Sequence, residues 1–139
     1  EVRSVPGQAS EAIKRDLRAV LRAFAERTGT SEPVLYAYVT DPATAIDENL
    51  PVVEALARAQ YAVMGNRPPS IMRRPGADAV HFTVYGVPCV TFGPGGRVHP
   101  DFEEKPMHAV GEHVHVDDLL TASRIYLATA LDLCDCRAK

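Results

Sequence analysis

The first 40 residues combine strand-like and helix-like patterns of hydrophobic positions. Residues 1–5 predict a short strand that ends at a Pro-Gly turn. A helix from Ser10, its predicted N-cap, to about Arg27 follows, with Gly29 as its stop. One stripe of that helix carries the apolar residues Ile13, Leu17, Val20, Leu21 and Phe24. Residues 33–40, PVLYAYVT, are rich in β-forming residues, so the pattern predicts a strand–helix–strand unit.

A polar segment with a proline, DPATAIDEN, then marks a domain boundary near residue 41. A second helix is predicted from Pro51 to the stop at Gly65. Its predicted apolar face consists of Val53, Leu56, Ala57 and Val63. After a proline-rich loop, the pattern predicts a short helix over 78–86 and a strand over 87–93, VPCVTFG.

The last third of the chain begins with a long surface loop, PGGRVHPDFEEKP. Val114 and Val116 alternate with histidines, as in a short strand. Asp117 is the predicted cap of a final helix, which should bury the leucines Leu120, Leu127 and Leu131 on one stripe. Together these elements predict a mixed α/β fold in which helices pack on an open sheet.

The composition narrows the function classes. The net charge is −3 and no run of Lys or Arg occurs, which argues against nucleic acid or an anionic membrane as partner. No stretch approaches the roughly 18 apolar residues of a membrane span. Three cysteines, an odd number, favour free thiols and a cytoplasmic location over a disulfide framework.

Three of the five histidines lie within eight positions of the segment 105–120, KPMHAVGEHVHVDDLL. Zinc is held by three or four His, Cys or carboxylate ligands, so His108, His113 and His115 could form a small single-zinc site. His115 and Asp117 also have the His-x-Asp spacing of zinc enzymes. The other interpretation is one ligand and a polar strand face.

Two glycine-containing segments are candidate ligand-binding sites. Gly93 and Gly95 follow the predicted strand 87–93, at the strand end where open α/β sheets bind ligands. Gly76 and Asp78 begin the preceding helix, where an aspartate is most simply an N-cap. The loop that contains Gly93 and Gly95 lacks the spacing of a nucleotide-binding loop.

The segments RPGADAVHF, YGVPCVTFGPGG and MHAVGEHVHVDDLLTASRIY, in this order, closely resemble the C-terminal third of one zinc-hydrolase family. The family includes acetylornithine deacetylase, succinyl-diaminopimelate desuccinylase, aminoacylase and glutamate carboxypeptidase. The opening VRSVPGQASEAIKRDLRAVL also resembles the second half of its lid, or dimerisation, domain. The resemblance implies that residues 1–40 are a β–α–β remnant of that domain. Residues 41–139 would then be the C-terminal part of the catalytic domain, an open α/β sheet.

Carried over by motif position, the resemblance implies specific roles for several residues. His108 matches the family's last metal ligand and Glu112 the glutamate that follows it, so His113 and His115 would be strand residues. Gly76, Asp78, Gly93 and Gly95 would line the substrate side of the site. Arg73 and Arg74 are candidates for pairing with a substrate carboxylate, or else belong to a solvated loop. Ala77 departs from the family, which has a hydroxyl residue before the aspartate.

The resemblance also implies the reaction and the partners. The complete enzyme would hold two zinc ions, with cobalt or manganese as alternatives, and cleave the amide of N-acyl amino acids or small peptides. The family's His-x-Asp, Glu-Glu pair and general base have no counterpart here, so the isolated chain should be inactive. A homodimer through the lid region is expected. The alternatives are a non-catalytic dimerising module and the single-zinc protein.

Overall fold

The computed structural model describes residues 2–38, 41–71, 77–103 and 106–134 and shows four helices within them. They are α1 (Ser10–Thr28), α2 (Pro51–Met64), α3 (Ala79–Thr83) and α4 (Val116–Leu133). The described residues form no β-strand. The prediction of an open α/β sheet, with a β–α–β unit before it, is therefore wrong. No helix in these ranges is long and apolar enough to cross a lipid bilayer.

Residues 87–93 were predicted to form a strand, and their surroundings show why they do not. Alternating apolar residues indicate that one side of a segment is buried, whereas a strand also needs a neighbouring chain for its ladder of hydrogen bonds. Here Val90 and Phe92 pack against the core of α2 and α4, but the backbone is irregular. The carbonyl of Phe92 accepts a hydrogen bond from the hydroxyl of Tyr126 instead of from a neighbouring strand.

The other predicted strands also lack a ladder. Residues 31–37 have no regular secondary structure, and the side chains of Val34, Tyr36 and Tyr38 are 71–93% exposed. Residues 112–115 are irregular, and Val116 already belongs to α4. High β propensity in these segments did not decide their structure, because propensity mainly reflects packing against neighbouring strands.

The chain divides into two compact units. The first comprises Glu1–Ala45 and Met72–Val87 and contains α1 and α3; the second comprises Ile46–Ile71 and Pro88–Lys139 and contains α2 and α4. The predicted domain boundary near residue 41 stays a prediction.

Helix α1 ends where the sequence predicted but begins one residue earlier. Gly29 has the left-handed φ of 64° that terminates helices, and its N–H donates to the carbonyl of Ala25. The N-cap is Ala9, so Ser10 is the first helical residue and not the cap. The predicted apolar stripe is partly covered, since Ile13, Leu17 and Leu21 are half-buried. Val20 and Phe24 are 66% and 44% exposed, and Ala25 is the buried residue of this helix.

Helices α2 and α4 pack against each other and supply the core of the second unit. Leu56 and Ala59 of α2 contact Ile125 of α4, and the partly buried Val63, Val90, Phe92 and Ala128 surround them. The predicted apolar face of α2 is confirmed. Pro51 occupies its first turn, where a missing N–H costs no hydrogen bond, and Gly65 ends it at φ 75°.

The burial predicted for α4 is wrong. Leu120, Leu127 and Leu131 are 52%, 63% and 49% exposed, whereas Ala122 and Ile125 are buried. This helix has apolar residues on more than one side, so its periodicity alone does not identify the side that meets α2. The orientation is reinforced by Arg58 of α2, which donates two hydrogen bonds to one oxygen of Asp132, at 2.9 and 2.7 Å.

Candidate functional site

The residues predicted to form the site are divided between the two units. Asp78 belongs to the first unit, whereas Gly93, Gly95, His108 and Glu112 belong to the second. The remaining three, Arg73, Arg74 and Gly76, lie outside the described residues. The loop before α4 is therefore where the structure can be compared with the prediction in most detail.

His108 and Glu112 are joined within this loop. The backbone N–H of His108 donates to Oε2 of Glu112 at 3.1 Å, and the N–H of Glu112 donates to the carbonyl of Ala109 at 3.1 Å. His108 has a φ of 54°, a left-handed conformation that is uncommon for residues other than glycine. The carboxylate thus fixes an unusual backbone conformation and leaves the side chain of His108 exposed.

His113 lies in the same loop, and both nitrogens of its ring form hydrogen bonds with backbone groups. Its Nδ1 lies 2.7 Å from the carbonyl oxygen of Gly111, which can only accept, so Nδ1 carries the proton. Its Nε2 accepts a hydrogen bond from the N–H of His99 at 3.0 Å. Both ring nitrogens are occupied, and a metal ion could bind only if one of these hydrogen bonds broke.

His115 is the N-cap of α4. Its Nδ1 accepts a hydrogen bond from the N–H of Asp117 at 3.2 Å and lies 3.2 Å from Nη1 of Arg97, which can only donate. Arg97 also contacts the carboxylates of Asp117, at 3.4 Å, and Asp118, at 2.9 Å. His115 and Asp117, which have the His-x-Asp spacing, therefore form the capped start of α4. The prediction that Asp117 is the cap is wrong, as is the prediction that the two later histidines share a strand face.

The described residues contain no group of three or more His, Cys, Asp or Glu side chains placed to hold a metal ion. His113 and His115 use ring nitrogens for the loop backbone and for the helix cap, while His108 is exposed. This part of the chain therefore does not fit a complete zinc site. Of its three clustered histidines, His108 is the one whose ring takes part in neither the loop nor the cap hydrogen bonds.

The predicted substrate-side residues have simple local roles. Asp78 occupies the N-cap position of α3, as the sequence predicted, but its side chain makes no capping hydrogen bond. Gly93 and Gly95 lie in the exposed loop after Phe92, and a Cβ on Gly93 would meet no other atom. The glycine of this loop that has a positive φ is Gly96, at 111°.

Three residues that organise the site were not singled out from the sequence. Arg97 binds the start of α4, and His99 and Phe102 pack around His113. For Arg97 a signal existed, because a loop arginine precedes the adjacent acidic pair Asp117-Asp118. For the two ring residues no pattern in the sequence indicated a contact with a histidine more than ten positions away.

No family model, curated protein or solved structure matches the chain.

Proposed function

We propose that the chain is the C-terminal part of a zinc-dependent amidohydrolase or peptidase that cleaves the amide of N-acyl amino acids or small peptides. One observation carries the proposal. In the segment that resembles the family's last metal-ligand motif, the carboxylate of Glu112 accepts a hydrogen bond from the His108 N–H at 3.1 Å. An exposed imidazole on a fixed backbone is a suitable ligand for a metal that other groups also hold. The fold adds no support, because the family's sheet is absent from the described residues.

In this proposal the chain supplies His108, and Glu112 positions it. The substrate would contact the exposed glycines Gly93 and Gly95, which belong to the same unit as His108. Zinc is the expected metal, because imidazole nitrogen is one of its usual ligands, with cobalt or manganese as alternatives. The remaining ligands and the general base would come from residues that this sequence does not contain.

The proposal predicts that the chain has amidohydrolase activity only when it is joined to the missing amino-terminal half of the enzyme. The chain alone should release no amine from N-acetyl or N-succinyl amino acids when zinc is added. The same chain joined to an amino-terminal half that carries the family's His-x-Asp and Glu-Glu motifs should release amine, because the metal and base constellation is then complete. A ninhydrin-type assay measures both. A joined chain that folds, binds zinc and still cleaves none of these amides would contradict the proposal.

The proposed location is the cytoplasm. Cys89 is a free thiol and is partly buried. Free thiols are typical of a reducing compartment.

A second candidate function, a non-catalytic dimerising module, is favoured by one exposed segment. The chain from Pro33 to Tyr38 carries no charge, and Val34, Tyr36 and Tyr38 present 72%, 71% and 93% of their surface to solvent. If two copies paired antiparallel about Tyr36, Val34 would lie opposite Tyr38 of the other copy, a favourable cross-strand pair. Pairing of this kind would satisfy backbone groups that an isolated extended segment leaves to water.

Light scattering tests this association. We expect the chain to form a dimer at high concentration and Tyr36→Lys to weaken it, since like charges would meet at the symmetry axis. Tyr85→Lys is the matched control, because Tyr85 is 86% exposed and lies outside the segment. A monomer at high concentration, or equal weakening by both variants, would count against pairing through residues 33–38.

A further inference from the structure

The loop before α4 is closed by a small group of aromatic and imidazole rings. Phe102 stacks obliquely on His113 with ring centroids 5.2 Å apart, and His99 meets both rings edge-on, at 6.3 and 5.9 Å. Gly111, at φ 89°, lies so close beneath Phe102 that a Cβ there would be 2.7 Å from the ring. These four residues, called the loop clasp below, join the two ends of the segment 99–113.

Hydrogen bonding gives the clasp a defined protonation state. The His113 ring donates through Nδ1 to Gly111 and accepts through Nε2 from the N–H of His99. A neutral imidazole has one donor and one acceptor, and here each has its partner. An imidazolium has two donors, so its Nε2–H would face the His99 N–H and the bond that closes the loop would be lost.

We propose that the loop clasp is a pH-sensitive latch, closed while His113 is neutral in its Nδ1–H tautomer and opened when His113 takes up a proton. Among side chains, imidazole is the usual pH-responsive group of proteins. The segment between the clasp residues contains His108. Opening therefore releases the backbone that presents this imidazole, whether or not His108 binds a metal.

Charged and titratable groups near His113 also bear on whether the clasp is open or closed. His99 contacts the His113 ring, Asp101 pairs with His99, and Glu112 precedes His113 in the chain. Glu104 and Lys105 lie outside the described ranges. Nδ1 of His99 accepts from the N–H of Asp101 at 3.3 Å and lies 3.5 Å from its carboxylate. Glu112 is occupied with the His108 N–H. Protonation of both rings would place two like charges 5.9 Å apart, and their repulsion would favour opening.

The first test is the tautomer of each histidine, measured from imidazole ¹⁵N shifts at pH 8. His113 should be protonated at Nδ1, whereas His99 and His115, whose Nδ1 atoms accept hydrogen bonds, should be protonated at Nε2. Finding His113 in the Nε2–H form would overturn the proposal, because the bond from His99 could not then exist.

The second test is exchange of the His99 amide proton, compared among variants at each pH. The side-chain oxygen of Gln can take the place of Nε2, so His113→Gln should keep the closing bond without titrating, whereas His113→Ala loses it. At pH 7.5 we expect His113→Ala to exchange between about twofold and tenfold faster than wild type, the range of one ordinary hydrogen bond, with His113→Gln close to wild type. At pH 5 the wild type should resemble His113→Ala, and His113→Gln should remain protected.

Gly111→Ala provides an independent route to the open clasp, because the added methyl group strains the backbone and displaces Phe102. This variant should exchange fast at both pH values. Equal exchange of the Ile125 amide in every variant, at the centre of α4, confirms that the helical core is intact. The latch is refuted if wild type stays as protected as His113→Gln at pH 5, or if His113→Ala leaves His99 exchange unchanged at pH 7.5.

Discussion

Replacement of Ile125 with alanine is expected to lower the free energy of unfolding by about 2–4 kcal/mol. Ile125 is 1% exposed and is the largest fully buried side chain among the described residues. Ile125 of α4 contacts Leu56 and Ala59 of α2. Truncation of its side chain therefore leaves a cavity between the two helices, whose buried cluster contains few other large side chains. Urea unfolding followed by circular dichroism measures the change.

Leu127→Ala is the matched control on the same helix. Leu127 is 63% exposed, so its truncation should change the free energy of unfolding by less than about 0.5 kcal/mol. The two variants discriminate between the burial seen in the structure and the leucine stripe expected from the sequence. A larger loss for Leu127→Ala than for Ile125→Ala would show that α4 turns its leucine side to the core.

The second large effect concerns His108. In the joined, complete chain, His108→Ala should reduce kcat roughly a thousandfold or more, because the other members of a metal and base constellation cannot act without it. The measurement is zinc-dependent amine release at saturating substrate, with zinc content determined for each variant.

His115→Ala serves as the control for loss of a nearby histidine. This variant removes the N-cap of α4 and should cost about 1 kcal/mol of stability while kcat stays near its normal value. If His115→Ala abolished turnover and His108→Ala did not, the assignment of the metal ligand from motif position would be wrong.

The helices were predictable because their signals are local. Glycines at the ends of α1 and α2 adopt the left-handed conformation that terminates helices, and the proline at the start of α2 fits its first turn. The buried side of α2 could also be predicted, since its apolar residues form one clear stripe, including Val53 and Leu56. In α4 more than one side is apolar, and the side that is buried depends on where α2 lies.

The strands could not be predicted from local pattern. Alternation in 87–93 correctly indicated burial of Val90 and Phe92, but whether a segment forms a strand depends on a neighbouring chain that a local pattern does not reveal. The same limit applies to the histidine cluster. Spacing showed that three imidazoles are near in sequence, whereas their roles depend on partners such as His99, 14 positions before His113.

A zinc titration of the chain, followed through the imidazole resonances of all its histidines, tests the central claim most directly. The claim is that His108 is the metal contact of this cluster and that His113 and His115 are engaged elsewhere. The predicted result is that the His108 resonances shift at the lowest zinc concentrations, while those of His113 and His115 remain in place, and that His108→Ala removes the response. Simultaneous shifts of all three histidines, or loss of zinc binding in His113→Ala alone, would contradict the account and favour a small three-histidine zinc site.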